Sequence, residues 1–210
     1  MKPSIITIGN GGYNIAADAI ASGIFSDFKL IVCDSDADDL KRNSVSADRS
    51  FLLDDSVDKF SLTDNPLIKP IVDEVTDRIY IFAALGGMVT RINVPPLLVE
   101  MDAPRRFIWS IITMPSDLEG AEIRKRAWST CRWLLACTDM FLVQDNNKLS
   151  TISELPIGDM NRPIVDTLAV ASLFDIRKSI RYTDSYTEYI PEKYRAAITM
   201  YRNPFKYPTI

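Results

Sequence analysis

Apolar runs of strand length recur along the chain, each followed by a polar or glycine-rich turn and a stretch with helical spacing. These runs lie at residues 5–8, 28–33, 78–83, 106–114 and 139–144. The order of strand, loop and helix repeats at least four times, which is typical of a mostly parallel sheet with helices on both faces. The pattern therefore predicts an α/β domain over residues 1–175, with a three-layer, doubly wound, Rossmann-like fold.

The pattern is weaker in two places. Residues 41–76 are polar apart from a short apolar piece at 51–53, so we expect a variable loop and then a helix near 68–76. Residues 94–101 predict another helix, although prolines occupy its second and third positions. Because proline is tolerated mainly in the first turn, we expect this helix to begin close to Val94.

The first apolar run ends in a glycine turn, Gly9-Asn10-Gly11-Gly12, and an apolar helical face follows it. A helix N-terminus offers free N–H groups and the positive end of a dipole, and glycines let an anion approach the backbone closely. The turn therefore predicts a phosphate site at Gly9, Gly11 and Gly12. The alternative is an ordinary tight turn between strand and helix.

A second glycine turn, Gly86-Gly87, follows the run at 78–83. Open α/β sheets bind ligands at the carboxyl ends of their strands, so the two turns would form two walls of one phosphate cradle. The alternative for Gly86 and Gly87 is a plain connection without a ligand.

Carboxylates follow the second run, where nucleotide folds often bind ribose hydroxyls. Asp34 and Asp36 are therefore candidates for ribose contacts or for a position close to Mg²⁺. The alternative is structural, because Ser35 or Asp36 would also cap a helix that runs to Leu40.

Composition removes several classes of function. The 210 residues carry a net charge of -4, so no general basic field attracts nucleic acid. The absence of histidine excludes Ser-His and Cys-His catalysis and His-based metal sites. No apolar run reaches the length of a membrane span, and no secretory signal is visible. The three cysteines lack metal-site spacing, and we expect free thiols in a reducing cytoplasm.

The composition changes at residues 176–210, which form a tyrosine-rich C-terminal extension. It holds six of the eight tyrosines: Tyr182, Tyr186, Tyr189, Tyr194, Tyr201 and Tyr207. Such an aromatic segment is unlike a disordered tail. We expect it to pack on the domain, or else on a protein partner or a second copy of the chain.

Taken in order, the loops resemble those of the FtsZ/tubulin GTPases. IGNGGYN resembles the first glycine loop, CDSDA the segment N-T-D-A, and ALGGMVT the signature G-G-G-T-G-T-G. TMPSDLEG is similar to T-x-P-F-x-F-E-G, and NNKL to N-D-R/K-L. These segments lie at residues 8–14, 33–37, 84–90, 113–120 and 146–149, within a likeness that covers roughly residues 4 to 173.

The resemblance implies a GTP or GDP site, with Mg²⁺ as an accompanying ion. The backbone amides of Gly11, Gly12 and Asn14 would meet the α- and β-phosphates. The turn at Gly86, Gly87 and Thr90 would meet the β- and γ-phosphates. Glu119 would bind the ribose. Two amides, Asn146 and Asn161, would read the guanine edge.

The chain also departs from the family's pattern. Met88, Thr90 and Ile92 replace glycines of the signature loop, and Arg91 adds a positive charge. The arginine that the family has after E-G would fall near residues 123–124. The sequence ends shortly after the helix that Asn161 opens, so the resemblance implies a nucleotide-binding domain without the second domain and its catalytic acidic loop. We therefore expect a weak GTPase or a pseudoenzyme.

Two other functions fit the same residues. A Rossmann-type enzyme would place a dinucleotide pyrophosphate on Gly9, Gly11 and Gly12, and ribose on Asp34. Against it, G-x-G-G-x-N is not G-x-G-x-x-G, and no proton-transfer residue is evident. An interaction module would bind no nucleotide and would use the C-terminal extension as its contact surface.

Overall fold

The sheet of the computed structural model confirms the predicted fold class. The structure describes residues 2–56, 62–63, 65–102, 106–152, 159–173 and 187–202. Its strands are β1 Ser4–Ile8, β2 Lys29–Asp34, β3 Arg49–Leu52, β4 Arg78–Ala84, β5 Phe107–Met114, β6 Met140–Asp145 and β7 Ile198–Arg202. They form one sheet in the order β3-β2-β1-β4-β5-β6-β7. β1 to β6 are parallel to their neighbours, whereas β7 is antiparallel to β6.

Helices cover both faces of this sheet. They are α1 Gly9–Ala21, α2 Ala37–Asn43, α3 Lys69–Glu74, α4 Met88–Met101, α5 Ala121–Cys137, α6 Asn146–Ile152 and α7 Arg162–Leu173. Apolar residues of α1 and α7 form a core cluster with alternate residues of β1, β2 and β4 to β6. Those of α3, α4 and α5 form a second cluster with the residues that point the other way. The sheet is therefore doubly wound.

The strand order reverses between β1 and β4. The chain moves from β1 outward to β2 and β3, then returns to β4 on the other side of β1 and continues to β5 and β6. Ile8 at the end of β1 pairs with Ala83 of β4, so the carboxyl ends of the two strands are level. In sheets of this kind, ligands bind in the crevice at such a reversal.

The prediction for α4 was wrong at its start. The helix begins at Met88, directly after Gly87, and Pro95 and Pro96 lie in its interior. Each proline removes a helical hydrogen bond, which normally breaks a helix. Here both prolines are buried, within a stretch of α4 that is buried continuously from Ile92 to Leu98. Burial of these two prolines outweighs the low helix propensity of proline.

The loop predicted within residues 41–76 contains a strand. β3, at Arg49–Leu52, pairs in parallel with β2 and forms one edge of the sheet. Three of its four residues are exposed, so it has no hydrophobic alternation that a sequence pattern could reveal. The helix expected at 68–76 is the shorter α3.

Part of the C-terminal extension belongs to the sheet. Tyr194, Ile198 and Met200 are buried in the core cluster that holds α1 and α7. The strand β7 was not predicted. Tyr182, Tyr186 and Tyr207 lie outside the described residues.

The expectations from composition about cysteines and membrane spans can be compared with the described residues. The three cysteines are not joined by disulfides. Among the described helices, none combines the length and the hydropathy of a bilayer-crossing segment.

Candidate functional site

The helix α1 begins within the first glycine turn. Gly9 opens it with φ 75°, a conformation that side-chain-bearing residues rarely adopt. Ile8 precedes the helix, and its side chain cannot cap the first N–H groups. The N-terminus of α1 therefore presents backbone donors and the positive end of the helix dipole at the carboxyl end of β1.

The next two glycines have a packing role that the sequence did not reveal. A Cβ atom at Gly11 would lie 2.5 Å from the Cβ of Ala84, and one at Gly12 would overlap the carbonyl oxygen of Phe82. Their hydrogen atoms let α1 lie directly on β4. Asn14, one turn further along, is exposed.

The second glycine turn leads into α4 in a similar way. Gly86 is buried with φ 110°, and a Cβ there would lie 2.6 Å from Cγ2 of Ile123. Gly87 is exposed at the N-cap position of α4, which has no side-chain cap. The buried hydroxyl of Thr90 donates a hydrogen bond of 2.9 Å to the carbonyl oxygen of Gly87. The Thr90 hydroxyl thus stabilises the first turn of its own helix.

These two turns meet above the reversal of strand order. The Cγ1 atom of Val89 lies 3.1 Å from the position that a Cβ at Gly9 would take. Two uncapped helix N-termini, α1 and α4, therefore converge from opposite faces of the sheet. Such an arrangement is suited to an anion, because both dipoles and both sets of free N–H groups favour negative charge there.

One carboxylate proposed for ribose binding has a structural partner. Asp36 Oδ1 accepts hydrogen bonds of 2.9 Å from the N–H groups of Asp38 and Asp39, so it caps α2. The capping alternative thus accounts for this side chain without a ligand. A ribose contact by Asp36 stays a prediction.

Asp34, at the end of β2, is only 5% exposed, and its Oδ1 accepts a hydrogen bond of 3.2 Å from the N–H of Asp36. Burial raises the pKa of Asp34 above its usual value. A carboxylate kept in a position that disfavours its charge, beside a glycine turn, is a candidate ligand contact.

We expect Asp34→Asn to stabilise the protein at pH 7 by about 1 kcal/mol, because the amide is buried without a charge and its oxygen still accepts the same hydrogen bond. A raised pKa means that Asp34 costs stability as the pH rises through its folded pKa. The gain should therefore disappear as the pH falls below the ordinary pKa of aspartate. Urea unfolding at pH 7 and at pH 3.5 measures the difference in the free energy of unfolding between the variant and the wild type. An equal gain at the two pH values would contradict burial of the Asp34 charge as its cause.

The three predicted nucleoside contacts already have partners within the chain. Glu119 accepts the N–H of Ser116 at 2.8 Å as part of a capping box. The Oδ1 atom of Asn146, just after β6, accepts from Nε2 of Gln144 at 2.9 Å. Asn161 donates from Nδ2 to Oδ2 of Asp18 on α1 at 2.9 Å. Glu119 and Asn146 thus follow β5 and β6 at the carboxyl edge, whereas Asn161 is held against α1 just before α7.

Two contacts at this edge were not predicted from the sequence. Arg124 is 19% exposed and contacts Asp117 at 3.0 Å and Asp145 at 3.4 Å, so it joins the loops that follow β5 and β6. In the sequence it is one of three consecutive basic residues, 124–126, with nothing in its spacing to mark it out from the other two. Asn43, buried at the end of α2, donates a hydrogen bond of 3.1 Å to Asn10 in the first glycine turn. No spacing along the chain signals either contact.

Some features of this edge suit a guanine nucleotide and others do not. The two helix N-termini are suited to an anion, and of the two predicted base-reading amides only Asn146 follows a strand at this edge. Val89 narrows the space between the two turns. Across the ranges that the structure describes, no three acidic or cysteine side chains gather into a metal-binding cluster.

Comparison with known proteins finds similar solved structures, but no match by sequence to a family model or a curated protein. The FtsZ dimer of M. jannaschii is similar, with 16% identity and a TM-score of 0.61 over 93% of this chain and 61% of that one. The GTPγS-bound protofilament of CetZ2 from Haloferax volcanii has 16% identity and a TM-score of 0.63, over 82% and 57%. Truncated TubZ of Clostridium botulinum phage c-st has 15% identity and a TM-score of 0.63, over 93% and 75%.

The chain spans 61% of the length of that FtsZ. At identities of 15–16% the likeness is one of fold. The chain is therefore a divergent domain with the FtsZ/tubulin nucleotide-binding fold.

Proposed function

We propose that the chain binds a guanine nucleotide, GTP or GDP, at the carboxyl edge of its sheet. The observation that carries the proposal is the convergence of two uncapped helix N-termini, α1 and α4, at the reversal of strand order. Backbone donors and helix dipoles that point at one spot favour a phosphate group. The neighbouring strand ends carry the polar side chains that a nucleoside needs.

In this proposal, the amides at the start of α1 and α4 hold the phosphates. Asp34 and Glu119 are the candidates for ribose, and Asn146 and Asn161 for the base. Since Glu119 and Asn161 are engaged within the chain, a ligand has to exchange their present hydrogen bonds for its own. Mg²⁺ usually binds such sites through phosphate oxygens and only one or two carboxylates, for which Asp34 is a candidate.

We expect hydrolysis to be weak or absent. Val89 packs against Gly9, and Thr90 and Ile92 are buried side chains where the resemblance would have glycines. These groups stiffen and narrow the start of α4, which in this proposal handles the terminal phosphate. The chain would then act by binding nucleotide rather than by hydrolysing it.

The test is thermal unfolding with GDP, GTP, ATP or NAD, each with and without Mg²⁺. A ligand at a hundredfold excess over its Kd should stabilise the protein by about 2.7 kcal/mol. For a chain of this size, that corresponds to a rise in Tm of about 5–11 °C. We expect this rise with GDP or GTP and not with ATP or NAD. A response to NAD alone would favour the dinucleotide enzyme, and silence to all four would favour an interaction module.

The contact of residues 176–210 with a partner or a second copy stays a prediction. The described part of this segment packs within the chain through β7 and Tyr194. The CetZ2 structure is a protofilament. Sedimentation of the purified chain with and without GDP would show whether it associates with itself.

A further inference from the structure

Gln144, near the end of β6, is completely buried at 0% exposure. Met140 and Leu142, which alternate with it along the strand, belong to the cluster of α1 and α7, so Gln144 points to the same face. Its Nε2 atom donates to Oδ1 of Asn146 at 2.9 Å and to the carbonyl oxygen of Met160 at 2.8 Å. The nitrogen of an amide carries two hydrogens, so both are used.

This one amide joins the two segments proposed to read the base. It binds Asn146 directly, and it binds the backbone of the residue that precedes Asn161. Its orientation is determined by chemistry, because the carbonyl oxygen of Met160 only accepts hydrogen bonds. Turning the amide over would place Oε1 of Gln144 against that oxygen. In the present orientation Oε1 has no partner among the described residues.

The orientation of Gln144 determines that of Asn146. Since Oδ1 of Asn146 faces Gln144, its Nδ2 is the group that remains for a ligand. An amide that offers a donor pairs with the carbonyl O6 of guanine or hypoxanthine. Adenine has an amino group at that position, so two donors would meet and one would lose its partner.

We propose that Gln144 is a positioning residue, which holds the Asn146 amide with its donor free and so makes the site select 6-oxopurine over 6-aminopurine nucleotides. This inference rests on the proposed guanine-nucleotide function and names a residue that sets its base preference.

The wild-type chain tests the donor through analogues of GDP that either keep or lose O6 of the base. The ligands are GDP, IDP, ADP and the 5′-diphosphate of 2-aminopurine riboside, and the measurement is Kd by isothermal titration calorimetry. We expect IDP to bind within about threefold of GDP, because it keeps O6. ADP and the 2-aminopurine nucleotide should bind about tenfold more weakly or worse, since each leaves a buried donor unpaired. Equal binding of GDP and the 2-aminopurine nucleotide would overturn the inference.

Two substitutions test the positioning role. Gln144→Leu removes both hydrogen bonds, and the ratio of Kd for ADP to Kd for GDP should fall about tenfold. Gln144→Glu loses the hydrogen bond to Met160 and presents an acceptor to Asn146, so Asn146 should turn its Nδ2 towards position 144 and its Oδ1 towards the base. The ratio should then shift further in favour of ADP. A role in folding alone would lower the affinity for both nucleotides together and leave the ratio unchanged.

Thr138→Val is the matched control. Thr138 is buried just before the same strand, and its hydroxyl donates to the carbonyl oxygen of Leu134 at 2.7 Å. The substitution removes a buried hydrogen bond at the opposite end of β6, so it should lower Tm and leave the ratio of ADP to GDP unchanged.

The outcomes separate this inference from the proposed function. If the wild-type chain binds none of the four nucleotides, both fail. If it prefers GDP to ADP and a folded Gln144→Leu or Gln144→Glu variant keeps the same ratio, only the role of Gln144 fails. If neither variant folds, the wild-type analogue series decides.

Discussion

Replacing Gly87 with aspartate should weaken nucleotide binding about a hundredfold or more while leaving the fold at least as stable. Gly87 is the exposed N-cap residue of α4, with φ -68° and ψ 154°, a backbone conformation that any residue adopts. A Cβ there meets nothing closer than the hydroxyl oxygen of Thr90 at 4.0 Å. Aspartate is a preferred N-cap residue, so it should stabilise α4 by a few tenths of a kcal/mol.

The same carboxylate would occupy the N–H groups that we assign to phosphate, and it would repel that phosphate. Like charges in contact at a binding site cost several kcal/mol, so affinity for GDP should fall about a hundredfold or more. Gly87→Ala is the control, because its methyl group fits the same space without charge and should leave binding within a few fold. Titration calorimetry with GDP, beside a melting curve, measures both effects. Tight GDP binding by the aspartate variant would refute the phosphate assignment.

Gly12→Ala should be among the most destabilising single-methyl substitutions in the chain. The added Cβ would overlap the carbonyl oxygen of Phe82 in the middle of the sheet, where backbone cannot move aside cheaply. Overpacking of this kind costs typically 1–3 kcal/mol, and a clash with backbone belongs at the upper end, about 3 kcal/mol. Tm should therefore fall by about 6–12 °C.

Gly23→Ala separates this effect from loss of glycine flexibility. Gly23 has φ 75° and nothing within 4 Å of its Cβ position. Its substitution should cost about 1 kcal/mol, from the left-handed backbone alone. A smaller loss for Gly12→Ala than for Gly23→Ala would show that α1 does not rest on β4 as described. Gly11 also packs closely, against Ala84, so a large side chain there would disturb the fold as well as binding.

The parallel core of the fold was predictable because its strands are continuous apolar runs. β1, β4 and β5 are buried on both faces, and such strands stand out in any sequence. β3 did not stand out, because an exposed edge strand carries no apolar period. The start of α4 was misplaced because burial of Pro95 and Pro96 decides it, and burial depends on the other elements.

For the candidate site, the sequence predicted which loops lie together, and it did not predict the hydrogen-bond partners of their side chains. Glycine turns and polar strand ends lie at one edge by topology alone, so their order along the chain was enough to bring them together. Which side chains are already engaged depends on distant partners, as Asn161 with Asp18 shows. Gln144 stayed hidden because, in sequence, it is one polar residue at the end of an apolar strand.

The position of β7 has a consequence for how the protein is made. Ile190, Tyr194, Ile198 and Met200 complete the cluster that covers the α1 side of the sheet, yet they are among the last described residues of the chain. During synthesis, β1 to β6 emerge first together with α1 and α7, and the part of that face covered by residues 190–200 stays open to water until they have left the ribosome. The free edge of β6 is unprotected for the same interval. Folding of this domain is therefore completed only after β7 has been translated.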